Sequence, residues 1–140
     1  MGDPYDLNRF VEAQERVYDQ VCAELEDGHK RGHWMWYIFP QIEGLGHSPT
    51  AVRFAISSLD EAAAYLRHPL LGPRLVNCTE LVNRVTGIGI REIFGYPDYL
   101  KFRSCMTLFA RAADDDAVFR TALQKYFDGE EDPMTVERLG

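Results

Sequence analysis

Apolar residues recur at helical spacing through most of this chain of 140 residues, most clearly near its start. From residue 7 to residue 26, apolar side chains return every three or four positions, as on one face of an amphipathic helix. Asp6 is placed to cap the start of this helix, and Gly28 is placed to end it. One polar residue, Gln14, falls on the apolar face. Its amide is expected either to find partners within the core or to point into a pocket.

Proline and glycine divide the rest of the chain into further helical segments. Ser48–Pro49 combines a capping serine with a proline in the first turn, a pattern typical of a helix start. The segment Ser58–Glu61 fits a capping box that opens a helix ending near Arg67. Apolar spacing then predicts helices over residues 74–85, 90–94, 97–113 and 116–128.

One aromatic segment, residues 34–39, does not fit a long helix. In an extended chain Trp34 and Trp36 would share one face, but a lone strand has no partner with which to pair. The sequence therefore predicts an all-α protein with a single compact domain over residues 1–140, built of six to seven short helices. Residues 130–140 are rich in acids and are expected to form a loosely packed tail.

Composition places the chain among ordinary globular proteins, since 46% of its residues are hydrophobic and 26% are charged. The longest apolar run is far shorter than the roughly 20 residues that a membrane span needs. The first residues also lack the apolar segment of a secretory signal, so a cytoplasmic protein without a membrane segment is expected. Cys22, Cys78 and Cys105 are widely spaced, which favours reduced thiols over a disulfide framework or a zinc site.

The formal net charge of −7 argues against binding to duplex nucleic acid, which requires a basic surface. The acids are unevenly distributed. Residues 114–140 carry a net charge of −5, which leaves −2 for the rest of the chain. The basic cluster of residues 29–33 therefore lies in a nearly neutral body and is a candidate for a local anion site.

The most unusual segment is residues 30–48, KRGHWMWYIFPQIEGLGHS, which contains both tryptophans. Its aromatic residues, bases and two-glycine loop are compatible with a small-molecule site. The loop allows a ligand to approach the backbone, and the helix start at Ser48 offers free amide groups. The alternative is a core segment that enters a tight turn. His29 and His33 have helical ligand spacing but no accompanying carboxylates, so neither a metal nor a cofactor is predicted.

Four stretches resemble domain-of-unknown-function family 1810 of bacteria and fungi, and the resemblance covers nearly the whole chain. They are FVEAQ at residues 10–14, HWMWYIFPQIEGLG at 33–46, YLRHPLLGPRL at 65–75 and KFRSCMTLF at 101–109. The resemblance implies a small all-helical fold, typified by a mycobacterial conserved hypothetical protein, and no established biochemical function. The label "calpastatin", often given to this family, does not fit. Inhibitory calpastatin repeats are disordered and carry a TIPPxYR core, which is absent here.

A fainter similarity links residues 106–132 to the end of a helical family that acts on ADP-ribose and related riboside linkages. The leading hypothesis is that the protein binds, or also hydrolyses, a small anionic ligand of nucleotide or ADP-ribose type. The alternative is a non-enzymatic protein-interaction module, with an unknown protein partner. The sequence identifies no catalytic residue. The candidate ligand-binding residues are Gln14, Lys30, His33, Trp34, Trp36, Gln41, Gly44, Gly46, Ser48, Arg103 and Ser104.

Overall fold

Helices form every extended element of the computed structural model, which describes residues 2–140. The helices of this part of the chain are α1 (Asn8–Glu15), α2 (Tyr18–Glu26), α3 (Met35–Ile38), α4 (Pro49–Arg53), α5 (Leu59–Arg67), α6 (Leu71–Arg84), α7 (Ile90–Phe94), α8 (Asp98–Ala112), α9 (Ala117–Phe127) and α10 (Pro133–Leu139). Among these described residues, the β pairing is a single parallel bridge between Ile42 and Ile56. No helix in residues 2–140 is long and apolar enough to cross a membrane.

The all-helical prediction is confirmed, but the predicted number of six to seven helices is too low. Residues 2–140 contain ten helices, of which seven are at least seven residues long. One cause is a break in the first predicted helix, where Arg16 and Val17 separate α1 from α2. The apolar stripe continues across this break because both helices bury residues in the same core, so the pattern alone does not reveal it.

The start of α1 also differs from the prediction. Asp3, not Asp6, supplies the cap, because its two carboxylate oxygens accept hydrogen bonds from Leu7 N at 2.6 Å and Asn8 N at 2.7 Å. Asp6 instead occupies the left-handed region, with φ of 52°. The predicted end of α2 is confirmed, since Gly28 has φ of 72°, a conformation that favours glycine.

Helix α8 lies at the centre of the fold and packs against α5, α7, α9 and α10. It is amphipathic only at its ends, and residues 104–110 are buried without interruption. Around its first turns, Phe39, Phe94 and Phe102 form an aromatic cluster with ring centroids 4.9 to 5.7 Å apart. Edge-on and offset contacts of this kind add to the burial energy of aromatic side chains.

The Arg9 guanidinium joins the N-terminal residues to α5. It donates to the backbone oxygens of Tyr5, Arg53 and Ala55, and it forms an ion pair with Glu61 at 2.9 Å. Glu61 also accepts hydrogen bonds from Ser57, so its side chain does not close the predicted capping box. Only the Ser58 half of that box forms, through a hydrogen bond from Glu61 N to Ser58 Oγ at 3.1 Å.

The last helix, α10, lies within the segment expected to be an acidic tail, and it packs on α8. Asp132 caps this helix, since its Oδ2 accepts hydrogen bonds from Thr135 N at 3.1 Å and Thr135 Oγ1 at 2.6 Å. The same oxygen accepts a hydrogen bond from Ser104 Oγ of α8 at 3.0 Å. Thr135 is completely buried. One carboxylate therefore both starts α10 and fixes it to the central helix.

Replacing Asp132 with alanine is expected to lower the free energy of unfolding by about 2 kcal/mol, because α10 loses its cap and Ser104 loses an acceptor. Urea unfolding followed by circular dichroism measures this change. Asp114→Ala, at an exposed position in the same acidic third, is the matched control. Equal unfolding midpoints for the two variants would contradict the structural role of Asp132.

Candidate functional site

The loop that leads into the aromatic segment is held by the buried carboxylate of Glu24. Its Oε1 accepts hydrogen bonds from Arg31 N at 2.6 Å, Gly32 N at 2.9 Å and Trp34 Nε1 at 3.0 Å. Its Oε2 accepts a hydrogen bond from Gln20 Nε2 at 2.8 Å. A residue on α2 thereby fixes the path of the chain from residue 31 to residue 34 and the orientation of the Trp34 indole.

These hydrogen bonds keep the Glu24 carboxyl ionised although it is only 5% exposed. Burial on its own raises the pKa of a carboxyl group, because the charged form loses hydration. The donors from Arg31, Gly32, Gln20 and Trp34 outweigh this effect and lower the pKa of Glu24 to about 2. Glu24 therefore keeps a fixed negative charge beside the loop, and both of its oxygens are already paired with donors.

Two lysines and one aspartate connect this loop to the first turn of α8. Lys30 Nζ lies 2.8 Å from Asp98 Oδ2, and Lys101 Nζ lies 3.0 Å from Asp98 Oδ1. Each ammonium group also faces a tryptophan. Lys30 Nζ is 5.2 Å from the centroid of the Trp34 ring, and Lys101 Nζ is 4.0 Å from the centroid of the Trp36 ring. We call these five residues the lysine–aspartate row.

The lysine–aspartate row carries a net positive charge, since two ammonium groups share one carboxylate. Burial tends to raise the pKa of Asp98, but its hydrogen bonds to Lys30 and Lys101 outweigh this effect and lower it. The Lys30 side chain is 8% exposed, whereas that of Lys101 is 20% exposed. Lys101 is thus the cation of the row that is more accessible from solution.

Trp36 forms the solvent-facing end of the row, beside the two-glycine loop. Its ring lines a small hollow with Gln41, Gly44 and Gly46. A Cβ atom on Gly46 would lie 3.1 Å from Trp36 Cη2, so a glycine at this position lets the ring approach the backbone. Gly44 has φ of 94°, and a Cβ atom there would lie 2.5 Å from Arg138 Nη2. The loop therefore needs glycine at both positions.

The structure brings some predicted site residues together and separates others. Lys30, Trp36, Gln41, Gly44 and Gly46 lie around the row and its hollow. The exposed His33 lies next to Trp34 in the chain, and the exposed Ser48 follows the loop. Ser48 Oγ accepts a hydrogen bond from Ala51 N at 3.1 Å, which confirms the predicted helix cap.

Gln14 and Trp34 lie in the core and not at the surface of this site. Each is 1% exposed. Gln14 Nε2 donates to Tyr37 O at 2.7 Å and to Tyr65 Oη at 3.1 Å, which fits the core interpretation of this residue. The Trp34 indole nitrogen already donates to Glu24. Neither side chain is therefore available to a ligand that approaches from solution.

Arg103 and Ser104, which were expected to close the site from a later helix, contact the C-terminal segment. Arg103 Nε donates to Glu130 O at 3.1 Å, and its Nη2 donates to Glu131 O at 2.9 Å. Ser104 donates to Asp132, as described above. Both residues are therefore engaged in fixing residues 130–132 against α8.

Sequence reasoning missed the two acids that organise the site, Glu24 and Asp98, together with Lys101. Glu24 stands three residues after Val21 and directly before Leu25, so its position beside the apolar stripe was a signal for a buried charge. The spacing of Asp98 and Lys101 is that of neighbours on one helical face. The pairing of Asp98 with Lys30 joins residues far apart in the chain, so local spacing does not indicate it.

Glu24→Gln removes the charge of this residue and keeps its shape, so its four donors face a weaker acceptor. We expect a loss of about 2 kcal/mol in unfolding free energy near pH 7. The folded-state pKa lies below the ordinary value of 4.5, so the wild-type advantage is fully present above that pH. It should decline as the pH falls from 4.5 to about 2.

Chemical unfolding of both proteins across this pH range measures the difference. Glu26→Gln, at an exposed position on the same helix, controls for loss of one surface charge. A difference between wild type and Glu24→Gln that stayed constant with pH would contradict the role given to the carboxylate.

Comparison with known proteins agrees with the fold and does not add a function. The family described as "Protein of unknown function (DUF1810)" matches residues 4–139. The crystal structure of the conserved hypothetical protein Rv1873 from Mycobacterium tuberculosis is 61% identical in sequence, with a TM-score of 0.97 over 98% of each chain. No curated protein matches the chain. With a family match over almost its full length, this protein belongs to the DUF1810 family.

Proposed function

We propose that the lysine–aspartate row and the solvent-facing part of the Trp36 ring bind a small anionic ligand with a planar ring, of the nucleotide or ADP-ribose class. The observation that carries the proposal is the position of Lys101 Nζ, 4.0 Å from the centroid of the half-buried Trp36 ring. At this separation, the ammonium group can bind a phosphate while the aromatic ring packs against a heterocyclic ring of the same ligand.

Charge supports an anion at this position. Asp98 neutralises only one of the two ammonium groups that it contacts, and the Glu24 carboxylate is enclosed by its own donors. An incoming phosphate would bind to Lys101 while Asp98 stays paired with Lys30. The cost of binding is then the displacement of one partly exposed ion pair, which is small compared with that of a buried one.

The half-buried Trp36 ring supplies an aromatic surface next to the anion. The hollow that it lines with Gln41, Gly44 and Gly46 has a volume of only about 10 Å³, so a planar ligand would lie on the ring from the solvent side and not inside the hollow. Stacking of an aromatic side chain on a nucleobase contributes about 1–3 kcal/mol per base to binding and tolerates any base. The Gln41 side chain would then supply an amide to the polar edge of the ring.

The row does not favour hydrolysis by general base catalysis. Asp98 is the acid nearest to the proposed ligand, and the adjacent ammonium groups lower its pKa. A carboxylate with a lowered pKa is a weak base near neutral pH. The proposed function is therefore binding, and hydrolysis of the ligand would require a further group.

Lys101→Gln is expected to weaken ligand binding by about tenfold, because one charge-assisted contact to phosphate is lost. Tryptophan fluorescence, titrated with ADP-ribose, NAD, common nucleotides and inorganic phosphate, measures the affinity. The signal should come from Trp36, since Trp34 is buried. Trp36→Phe should therefore remove the fluorescence change, and calorimetry then shows whether the ligand still binds.

Lys125→Gln is the matched control for this titration. Lys125 lies on α9, where its Nζ donates to the backbone oxygens of Asn83 and Val85, and it is not one of the residues of the row. It should bind with the affinity of the wild type. The proposal fails if no compound gives a saturable change, or if Lys101→Gln and Lys125→Gln bind equally well.

The alternative function is a non-enzymatic protein-interaction module, and one surface observation favours it. Tyr96 is 76% exposed, its ring centroid lies 6.1 Å from that of Tyr99, and the nearby Leu100 is 40% exposed. Exposed apolar residues grouped in this way are a feature of protein-binding surfaces. The two functions can be separated, because ligand binding depends on Lys101 whereas partner binding would depend on Tyr96.

A further inference from the structure

Two of the three cysteines, Cys22 and Cys78, lie where α2 packs against α6. Cys22 of α2 is partly exposed and Cys78 of α6 is buried, and the two thiols are in hydrogen-bonding contact. Cys105 is buried in α8 and provides a comparison within the same chain. The proposed ligand site uses none of these thiols.

Polar groups surround the sulfur atom of Cys22. Asn77 Nδ2 lies 3.7 Å from Cys22 Sγ and 2.9 Å from the hydroxyl oxygen of Tyr18. The Tyr18 hydroxyl is itself in hydrogen-bonding contact with Cys22. Together with the Cys78 thiol, three donors converge on one sulfur atom. Sulfur is a weak acceptor as a thiol and a much stronger one as a thiolate, so this arrangement favours the thiolate.

The two thiols differ in acidity for the same reason. The hydrogen bond from Cys78 lowers the pKa of Cys22 to about 6, although burial and the charges of Asp19 and Glu26 act in the opposite direction. The same contact, together with burial, raises the pKa of Cys78. Cys22, which is also the more exposed of the two, is therefore the thiol of the pair that ionises first and reacts, and Cys78 is the neighbouring thiol.

We propose that Cys22 and Cys78 form a reversible thiol–disulfide pair, in which Cys22 reacts with a hydroperoxide and Cys78 resolves the product. The proposal depends on the contact between the two sulfur atoms, the donors around Cys22 and its partial exposure. A transient disulfide is compatible with a reducing compartment, where stable disulfides are rare.

The reaction consists of two displacements. The Cys22 thiolate attacks one oxygen of the hydroperoxide, an S–O bond forms, the O–O bond breaks, and the departing alkoxide or hydroxide takes a proton from water. The sulfur is oxidised by two electrons to a sulfenic acid, and the peroxide is reduced to an alcohol or to water. Cys78 then loses its proton and attacks the Cys22 sulfur, so that an S–S bond forms and the oxygen leaves as water.

The test treats the reduced full-length protein with hydrogen peroxide, then unfolds it and alkylates the free thiols. The expected result is a fall from three alkylated cysteines to one, with a peptide that links Cys22 to Cys78 in the mass spectrum. A dithiol reductant should restore all three. This experiment requires no substitution, so it does not depend on whether a variant folds.

Three variants assign the roles. Cys78→Ala should leave a sulfenic acid on Cys22 that a cyclic 1,3-dione traps, whereas Cys105→Ala should still form the disulfide. In Cys22→Ala, Cys78 should be oxidised more slowly than in the wild type, on the order of tenfold or more. The reason is that Cys78 is the less acidic thiol and the reactive thiolate forms at Cys22. Oxidation of Cys22 no faster than that of Cys105, or a disulfide that joins other cysteines or two chains, would overturn the proposal.

Discussion

The conformation of the loop that leads into the aromatic segment, residues 34–39, depends on the hydrogen bonds that converge on the Glu24 carboxylate. Residues 31–34 belong to no helix or strand, so their amide groups have no hydrogen-bond acceptors within a regular element. Glu24 supplies an acceptor to two of these amides and to the Trp34 indole, all on one oxygen. The loop is thereby fixed without a strand or a helix, and a buried charge is stabilised without a cation.

This anchoring determines where the positive charges lie. With the loop fixed, Lys30 N donates to Ile93 O at 2.7 Å, and the Lys30 side chain extends towards the start of α8. Asp98 then forms ion pairs with Lys30 and with Lys101 from its own helix. The row is thus a consequence of the loop conformation, and its solvent-facing end is defined by Trp36.

Features set by local sequence could be predicted, and those set by contacts between distant residues could not. Gly28, Ser48 and Ser58 mark helix ends because their own backbone or side chain satisfies the local geometry. The break between α1 and α2 left the apolar stripe intact and so was invisible in the pattern. In the candidate site, the sequence grouped Lys30, Trp36 and the glycine loop, whereas the pairing with Asp98 required the fold.

The two tryptophans illustrate the same limit. An extended chain would place Trp34 and Trp36 on one face, but a helix turns by about 100° per residue and separates residues two apart by about 200°. Because α3 forms a single helical turn at residues 35–38, Trp34 enters the core and Trp36 faces the glycine loop. Aromatic composition was therefore informative about the segment, and local geometry decided the role of each ring.

The central position of α8 has a consequence for biosynthesis. Its residues, 98–112, emerge from the ribosome after α5 and α7, which both pack against it. Until α8 is available, the apolar surface of α5 that it covers has no permanent partner, and α9 and α10 follow only later. A nascent chain of this protein must therefore carry an incomplete core until α8 and α9 have left the ribosome, and during that interval its apolar surface is open to chaperones and proteases.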